Sequence, residues 1–184
     1  MILYTFLYRL RQMQQHQRFI HFLALLFLLP LVSYIDAQNV NNIWYFGDGN
    51  FIDFNSPAPT IQGQGIQIAT ATSTYCLEGS SSICDATGQL LFYSDGRNVW
   101  DKNYHLMPNG TGLYGHVSSA QVVIIPKPGS TSIYYVFYSD YAGAANGFSY
   151  SEVDMNLNGG LGDVTGRKNI QLHSSSAEMV KAIT

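Results

Sequence analysis

Sixteen residues, 85–100 (DATGQLLFYSDGRNVW), constrain the fold of this chain more than any other stretch. Two turn-forming strings, Asp85-Ala86-Thr87-Gly88 and Ser94-Asp95-Gly96, bracket an apolar run at residues 90–93, and a second run opens at Val99-Trp100. Asp and Gly stand where a backbone must close a short loop or enter positive φ. The run between them is aromatic and too short for a useful helix. The expected form is one antiparallel strand with a hairpin at either end. Asp85, Gly88, Asp95 and Gly96 are thus read as structural turn residues.

The stretch recurs. Phe92-Tyr93-Ser94-Asp95-Gly96 returns 45 residues later as Phe137-Tyr138-Ser139-Asp140-Tyr141, and a looser copy, Tyr45-Phe46-Gly47-Asp48-Gly49, lies 47 residues upstream. Repeats of about 40–50 residues made of short strands mark propeller blades, roughly four strands each. The rest of the chain after Asn41 reads in the same style. A short aromatic strand is expected at 43–46, a loop at 56–65 (Pro57, Pro59, Gly63, Gly65) and an Ala/Thr-rich strand at 67–75. Residues 78–84 lead into the hairpin, and a strand at 99–107 is closed by a turn at Pro108-Asn109-Gly110. Strands at 121–126 and 133–139 flank the turn Lys127-Pro128-Gly129-Ser130. A strand at 147–155, with Phe148, Tyr150 and Val153 on one alternating face, precedes a glycine-rich connection at 156–166. No helical period persists over ten residues, so the expected class is all-β, with antiparallel propeller-like blades.

The first 37 residues read differently. Arg9, Arg11 and Arg18 precede an apolar run of 17 residues at 19–35, broken by Pro30, and Ala37 before Gln38 offers a small-residue cleavage site. That is the pattern of a secretory signal, with translation starting at Met1 or Met13. A retained membrane anchor is the alternative, although the run falls short of the roughly 20 residues a spanning helix needs. The 147 residues that follow form one expected domain, 38–184, with six basic and eleven acidic side chains. A net charge of −5 lacks the basic stripe that nucleic acid requires, and it repels anionic membrane surfaces. With 46% apolar and only 11% charged residues, the chain is globular rather than disordered.

An ordered series of motifs carries a resemblance. It runs through Trp44-Tyr45-Phe46-Gly47, Glu78-Gly79-Ser80-Ser81-Ser82-Ile83, Leu90-Leu91-Phe92-Tyr93-Ser94-Asp95-Gly96 and Ile125-Pro126-Lys127-Pro128-Gly129 to Leu157-Asn158-Gly159-Gly160-Leu161-Gly162-Asp163. Residues 41–184 resemble the N-terminal β-propeller region of large secreted proteins of Bacteroidetes-type bacteria. Those proteins carry further modules and a gliding-motility-associated C-terminal domain that directs type IX secretion. The resemblance implies a secreted or cell-surface, non-enzymatic module for adhesion or polymer contact, with a protein or polysaccharide ligand. Cys84 departs from the family pattern, which has a small polar residue there. About three blades are fewer than the four to eight of a closed propeller. The expectation is therefore an incomplete propeller whose downstream domains belong to a longer chain.

No motif assigns a catalytic residue, a cofactor or a metal. Cys76 and Cys84 could form a disulfide in an exported chain, provided the segment between them doubles back. His105, His116 and His173 lack zinc-ligand spacing. Gly115-His116-Val117-Ser118 has no nucleophile-elbow context. Asp48-Gly49-Asn50 with Asp53, and Asn156-Leu157-Asn158 with Asp163, offer oxygens but no EF-hand spacing, and are read as turns. Ser94-Asp95-Gly96 resembles the Asp-box turn of sialidase propellers without the residue that separates Ser from Asp there. Asn109-Gly110-Thr111 is a glycosylation sequon only on a eukaryotic secretory route. The alternative to a binding module is a glycan hydrolase, which needs two carboxylates about 5–10 Å apart. Export itself is testable: the protein recovered from the medium of a secreting host is expected to begin at or near Gln38, and Edman sequencing that returned Met1 or Met13 on a membrane-bound product would overturn the signal reading.

Overall fold

The computed structural model describes residues 39–46, 50–59, 61–63, 79–116 and 122–177, all within one compact unit, Gln38–Thr184. The segment expected to be a signal (1–37), Cys76, Asp48 and the strand expected at 67–75 lie outside the described residues. What is described is all-β: twelve strands in three antiparallel sheets, with short 3₁₀ turns and no α-helix among the described residues.

The first sheet is β1 (Ile43–Phe46), β2 (Asn50–Asp53) and β3 (Ile61–Gly63), in that order. The second is a meander of β4 (Ser81–Cys84), β5 (Leu90–Ser94), β6 (Asn98–Asp101) and β7 (Leu106–Thr111). The third runs β8 (Val122–Pro126), β9 (Ile133–Ser139), β10 (Phe148–Asp154). Two short strands then share the free edge of β10: β11 (Asp163–Val164) takes its end and β12 (Ile170–His173) its beginning. The first strands lie side by side, β4 beside both β1 and β8, and the last strand β7 adjoins β11.

The central hairpins form where the sequence places them. β5 pairs with β4 (Ile83 opposite Phe92) and with β6 (Tyr93 opposite Trp100). Gly88 and Gly96 stand at φ +87° and +82° in the two connections. Each connection is also closed by an aspartate whose Oδ1 accepts the backbone N–H two residues on, Thr87 for Asp85 and Arg97 for Asp95. Asp53, Asp101 and Asp154 do the same with Asn55, Asn103 and Asn156. A short acidic side chain here supplies an acceptor to a backbone donor that the strand ladder leaves unpaired.

The middle sheet is apolar on both faces. Ile83, Phe92, Val99 and Met107 pack with Val122, Ile124, Val136, Tyr138 and Val153 of the third sheet. Leu90, Tyr93 and Trp100 pack with Tyr45 and Phe51 of the first. A bulge makes this possible: Cys84 faces Leu90 and Ile83 faces Phe92, so Leu91 is an extra residue, and Leu91 and Phe92 fall on the same side. Across the other seam, Phe51, Tyr45, Tyr93 and Trp100 stack in series with centroids 5.3, 4.5 and 5.1 Å apart. Each such contact adds about 0.5–1.5 kcal/mol beyond area burial.

Four local expectations are corrected. Pro108-Asn109-Gly110 is not a turn but the middle of β7. The reversal comes earlier, at residues 101–105, where Asp101 accepts from Asn103 and His105, and Tyr104 takes φ +68°. Pro108 is tolerated because β7 is an edge strand, where a missing N–H breaks no ladder. The proline-rich loop at 56–65 contains β3, paired with β2. In β10, Ser149, Ser151 and Val153 share the core-facing side, and Phe148 and Tyr150 lie on the other, so the three apolar residues do not alternate on one face. Tyr45-Phe46, the described part of the upstream copy, lies on β1, the first strand of its sheet, whereas the other two copies begin on second strands, β5 and β9.

Gly96 is packed as well as twisted: a Cβ there would meet Val122 Cγ2 at 2.9 Å. A Cβ on Gly112, at φ +72°, would meet nothing within 4 Å. Gly96→Val is expected to cost more than about 1 kcal/mol, and more than Gly112→Val, in paired denaturant titrations; equal losses would show that only backbone strain, and not the close approach of the third sheet, matters at Gly96.

Candidate functional site

Three described segments meet at one end of the second and third sheets. They are the β5–β6 loop (Asp95, Gly96, Arg97), the segment after β7 (residues 112–116) and the β9–β10 loop (residues 140–147). Leu113 N donates to Arg97 O at 2.9 Å, and Gly115 N donates to Gly96 O at 3.0 Å. The two backbones approach so closely that a Cβ on Gly115 would lie 2.4 Å from Gly96 O. The same segment is tied to the third sheet through Asn169, at φ +57°: its Oδ1 accepts from Tyr114 N and from the Tyr138 hydroxyl, and its Nδ2 donates to Gly112 O.

This frame holds Tyr114 and Tyr141, 42% and 52% exposed, toward solvent. The His116 ring lies 4.7 Å from that of Tyr141, and Arg97 is one-third exposed nearby in the chain's turn. Two outward rings, an imidazole and a guanidinium offer flat apolar faces with polar tips, the chemistry that grips sugar faces or peptide side chains. Nothing in the sequence picks these two tyrosines out. Gly112-Leu113-Tyr114-Gly115 is the only local cue, a paired glycine around an aromatic.

Asp95 sits beneath this surface, 4% exposed. Its Oδ1 accepts from Arg97 N at 2.9 Å and Asn98 N at 2.7 Å. Its Oδ2 is buried without a hydrogen-bond donor; Arg97 Nε, 3.8 Å away, is within ionic reach but too far for a hydrogen bond. Burial pushes the Asp95 carboxyl above the usual carboxylate range, against the opposing pull of the two N–H groups and Arg97. Asp85 occupies the equivalent place in the preceding turn and shifts the other way. The Thr87 hydroxyl bonded to it at 2.6 Å, with backbone N–H groups in support, holds it low in a more open setting.

The remaining described carboxylates are also engaged. Glu152 takes Lys127 at 3.2 Å and lies 4.0 Å from Arg167, Asp140 caps Tyr141 N and Asn146 N, and Asp163 accepts from Asn109 N, Asn109 Nδ2 and Val164 N. Neither oxygen-rich loop shows converging ligands among its described residues, and Asp48 and Gly49 lie outside them. Asp53 bonds Asn55, and Asn156 turns to Ser132 while Asp163 turns to Asn109. Among the described residues no three His, Cys, Asp or Glu side chains are grouped to hold a metal. Cys84 is a buried free thiol, raised by burial, and its possible partner Cys76 lies outside the described residues. Of Gly115-His116-Val117-Ser118, the last two also lie outside them.

A cleft of about 330 Å³ opens between β1 and β4, lined by Asn41, Trp44, Tyr45 and Ser80–Ser82. Its polar side chains serve the fold: Ser80 Oγ donates to Tyr45 O, Ser82 Oγ to Ile43 O, and Trp44 Nε1 to Asn41 O. The two serines tie β1 to the second sheet, and the Trp44 bond stays within its own segment.

The buried Asp95 makes a pH prediction. Because its folded pKa is raised, its contribution to stability is fully present below the ordinary carboxylate range and is lost as pH rises through the folded value. Asp95→Asn keeps the Oδ1 acceptor and removes the charge, so melting temperature should be unchanged or higher at pH 7, with a flatter profile from about pH 4 upward. Asp95→Ala strands two N–H groups and should cost about 1–3 kcal/mol. Thermal melts of the three proteins between pH 3 and pH 8 decide; an Asn variant as damaged as Ala would mean that the charge itself is required.

Set against known proteins, the chain matches no family model, no curated protein and no solved structure.

Proposed function

We propose that this chain forms part of a β-propeller on an exported, cell-surface protein of the type IX-secreted kind its motifs resemble, and that it binds a polysaccharide or protein without cleaving it. The carrying observation is the order of the sheets. Three successive antiparallel sheets set their first strands side by side, β1, β4 and β8, as blades arranged about an axis would. In such an arrangement the hairpin loops of successive blades collect at one end, which is where Tyr114, His116 and Tyr141 stand. The exposed rings are the contact surface in this reading.

The commitment of the carboxylates favours binding over hydrolysis. A glycan hydrolase needs an acid and a second carboxylate facing one bond, whereas all eight described carboxylates hold backbone N–H groups or cations.

The test is an immobilised array of plant, fungal and bacterial polysaccharides and surface-protein extracts, probed with the full chain and with a Tyr114→Ala/Tyr141→Ala variant. The expected result is retention on one class, at least about tenfold weaker binding by the variant, the same melting temperature for both, and no release of reducing ends. Release of reducing ends would overturn the non-enzymatic reading, and equal binding by the variant would overturn the site.

A further inference from the structure

The sequence holds three Asn-Gly pairs, Asn109-Gly110, Asn146-Gly147 and Asn158-Gly159. Asparagine is among the chemically labile side chains, and it is most labile before glycine. There the next backbone nitrogen can reach the side-chain carbonyl carbon with no Cβ in the way. It does so only where that nitrogen and the amide are free to approach each other, and the fold treats the three pairs differently.

In β7, Asn109 is held at three points. Its backbone N–H and its Nδ2 donate to the two oxygens of Asp163, the latter at 2.7 Å, and its carbonyl accepts from Lys168 Nζ at 3.0 Å. Gly110 is buried, so tightly that a Cβ there would lie 2.5 Å from Val99 O. In the β9–β10 loop the attacking nitrogen is itself occupied, because Gly147 N donates to Ala144 O at 2.9 Å. Asn146 N donates to Asp140 Oδ2, and the Asn146 carbonyl accepts from Ser149 Oγ. A Cβ on Gly147 would collide with His173 O, so this pair has no room to turn.

Asn158-Gly159, between β10 and β11, is open. Both residues are exposed, at φ +50° and +64°, and a Cβ on Gly159 or Gly160 would meet nothing within 4 Å. Leu157 O accepts from Gly160 N and Gly162 N, and Asn158 O accepts from Leu161 N. These bonds shape the turn yet pass over Gly159. Among the described residues neither its N–H nor the Asn158 side-chain amide has a partner.

We propose that Asn158 is a site of spontaneous deamidation, selected by the fold over Asn109 and Asn146. The Gly159 nitrogen bonds to Asn158 Cγ, its proton passes through solvent to Nδ2, and the Cγ–Nδ2 bond breaks to release ammonia. The product is a cyclic succinimide. Water then opens the ring at either carbonyl and leaves aspartate or isoaspartate at 158; nothing is oxidised or reduced. Each event adds a negative charge to a loop flanked by Asp154 and Asp163, and the isoaspartate route inserts an extra carbon into its backbone. The loop thereby records the age of each molecule in a covalent form. None of this depends on what the protein binds.

The experiment ages the full chain at mildly alkaline pH and follows each pair by peptide mapping, with an isoaspartate-specific methyltransferase labelling the rearranged product. The same map on the chain unfolded in guanidinium chloride gives the rates without the fold. In the folded protein Asn158 should deamidate at least about tenfold faster than Asn109 or Asn146, and in denaturant the three rates should converge. Asn158→Gly, a residue that accepts φ +50° without strain, should lose most of the acidic species that the ageing wild type gains on isoelectric focusing. A folded-state rate at Asn158 no faster than at the other two pairs overturns the proposal. So does an Asn158→Gly protein that acidifies as fast as the wild type. An equal preference for Asn158 in denaturant overturns it too, because the local sequence and not the fold would then be the cause.

Discussion

The structure depends on the second sheet being apolar on both sides. A sheet with one wet face needs only one partner; this one must be covered twice, and so it fixes the sheets before and after it. Phe92 and Tyr93 are adjacent in sequence and buried on opposite faces, at 0% and 4% exposure, which ties both seams to the same two residues. Losing either seam would uncover rings worth several kcal/mol each at about 25 cal/mol/Å². That is comparable with the whole net stability of a domain, about 5–15 kcal/mol.

The hairpins of this sheet were legible in the sequence for a local reason. Asp-x-x-Gly and Ser-Asp-Gly act through their own backbone: a carboxylate two residues from its donor, and a glycine at positive φ, need no distant partner. The β6–β7 reversal was not legible, because Pro108-Asn109-Gly110 reads as a turn wherever it stands alone. Only its edge position, and the competing turn built by Asp101 and Tyr104, make it a strand. β3, β11 and β12 were missed because two to four residues give no period to read; their pairing with β2 and β10 creates them. The loop surface was not legible in the sequence. Which tyrosines stay outside is decided by long-range bonds such as Asn169 to Tyr114 and Gly112.

The acidic residues show how one residue type serves opposite electrostatic ends. Asp85 and Asp95 close equivalent turns with the same Oδ1 geometry, yet the first is held low by the Thr87 hydroxyl and the second raised by burial. The difference lies in burial: Asp85 is half-buried, Asp95 almost wholly enclosed. Asp95 is 4% exposed, and its Oδ2 is shut away from water without a hydrogen-bond donor.

The divided edge of β10 carries a consequence for how such molecules can go wrong. A long bare strand edge invites another chain to add on by backbone hydrogen bonds. Here β11 and β12 between them occupy opposite ends of β10, and the rim of the second sheet, β7, is interrupted by Pro108 and by a register shift against β6. Both outer rims are therefore poor templates for cross-β growth. Strand addition at these two rims is disfavoured by the backbone itself, not only by the side chains along them.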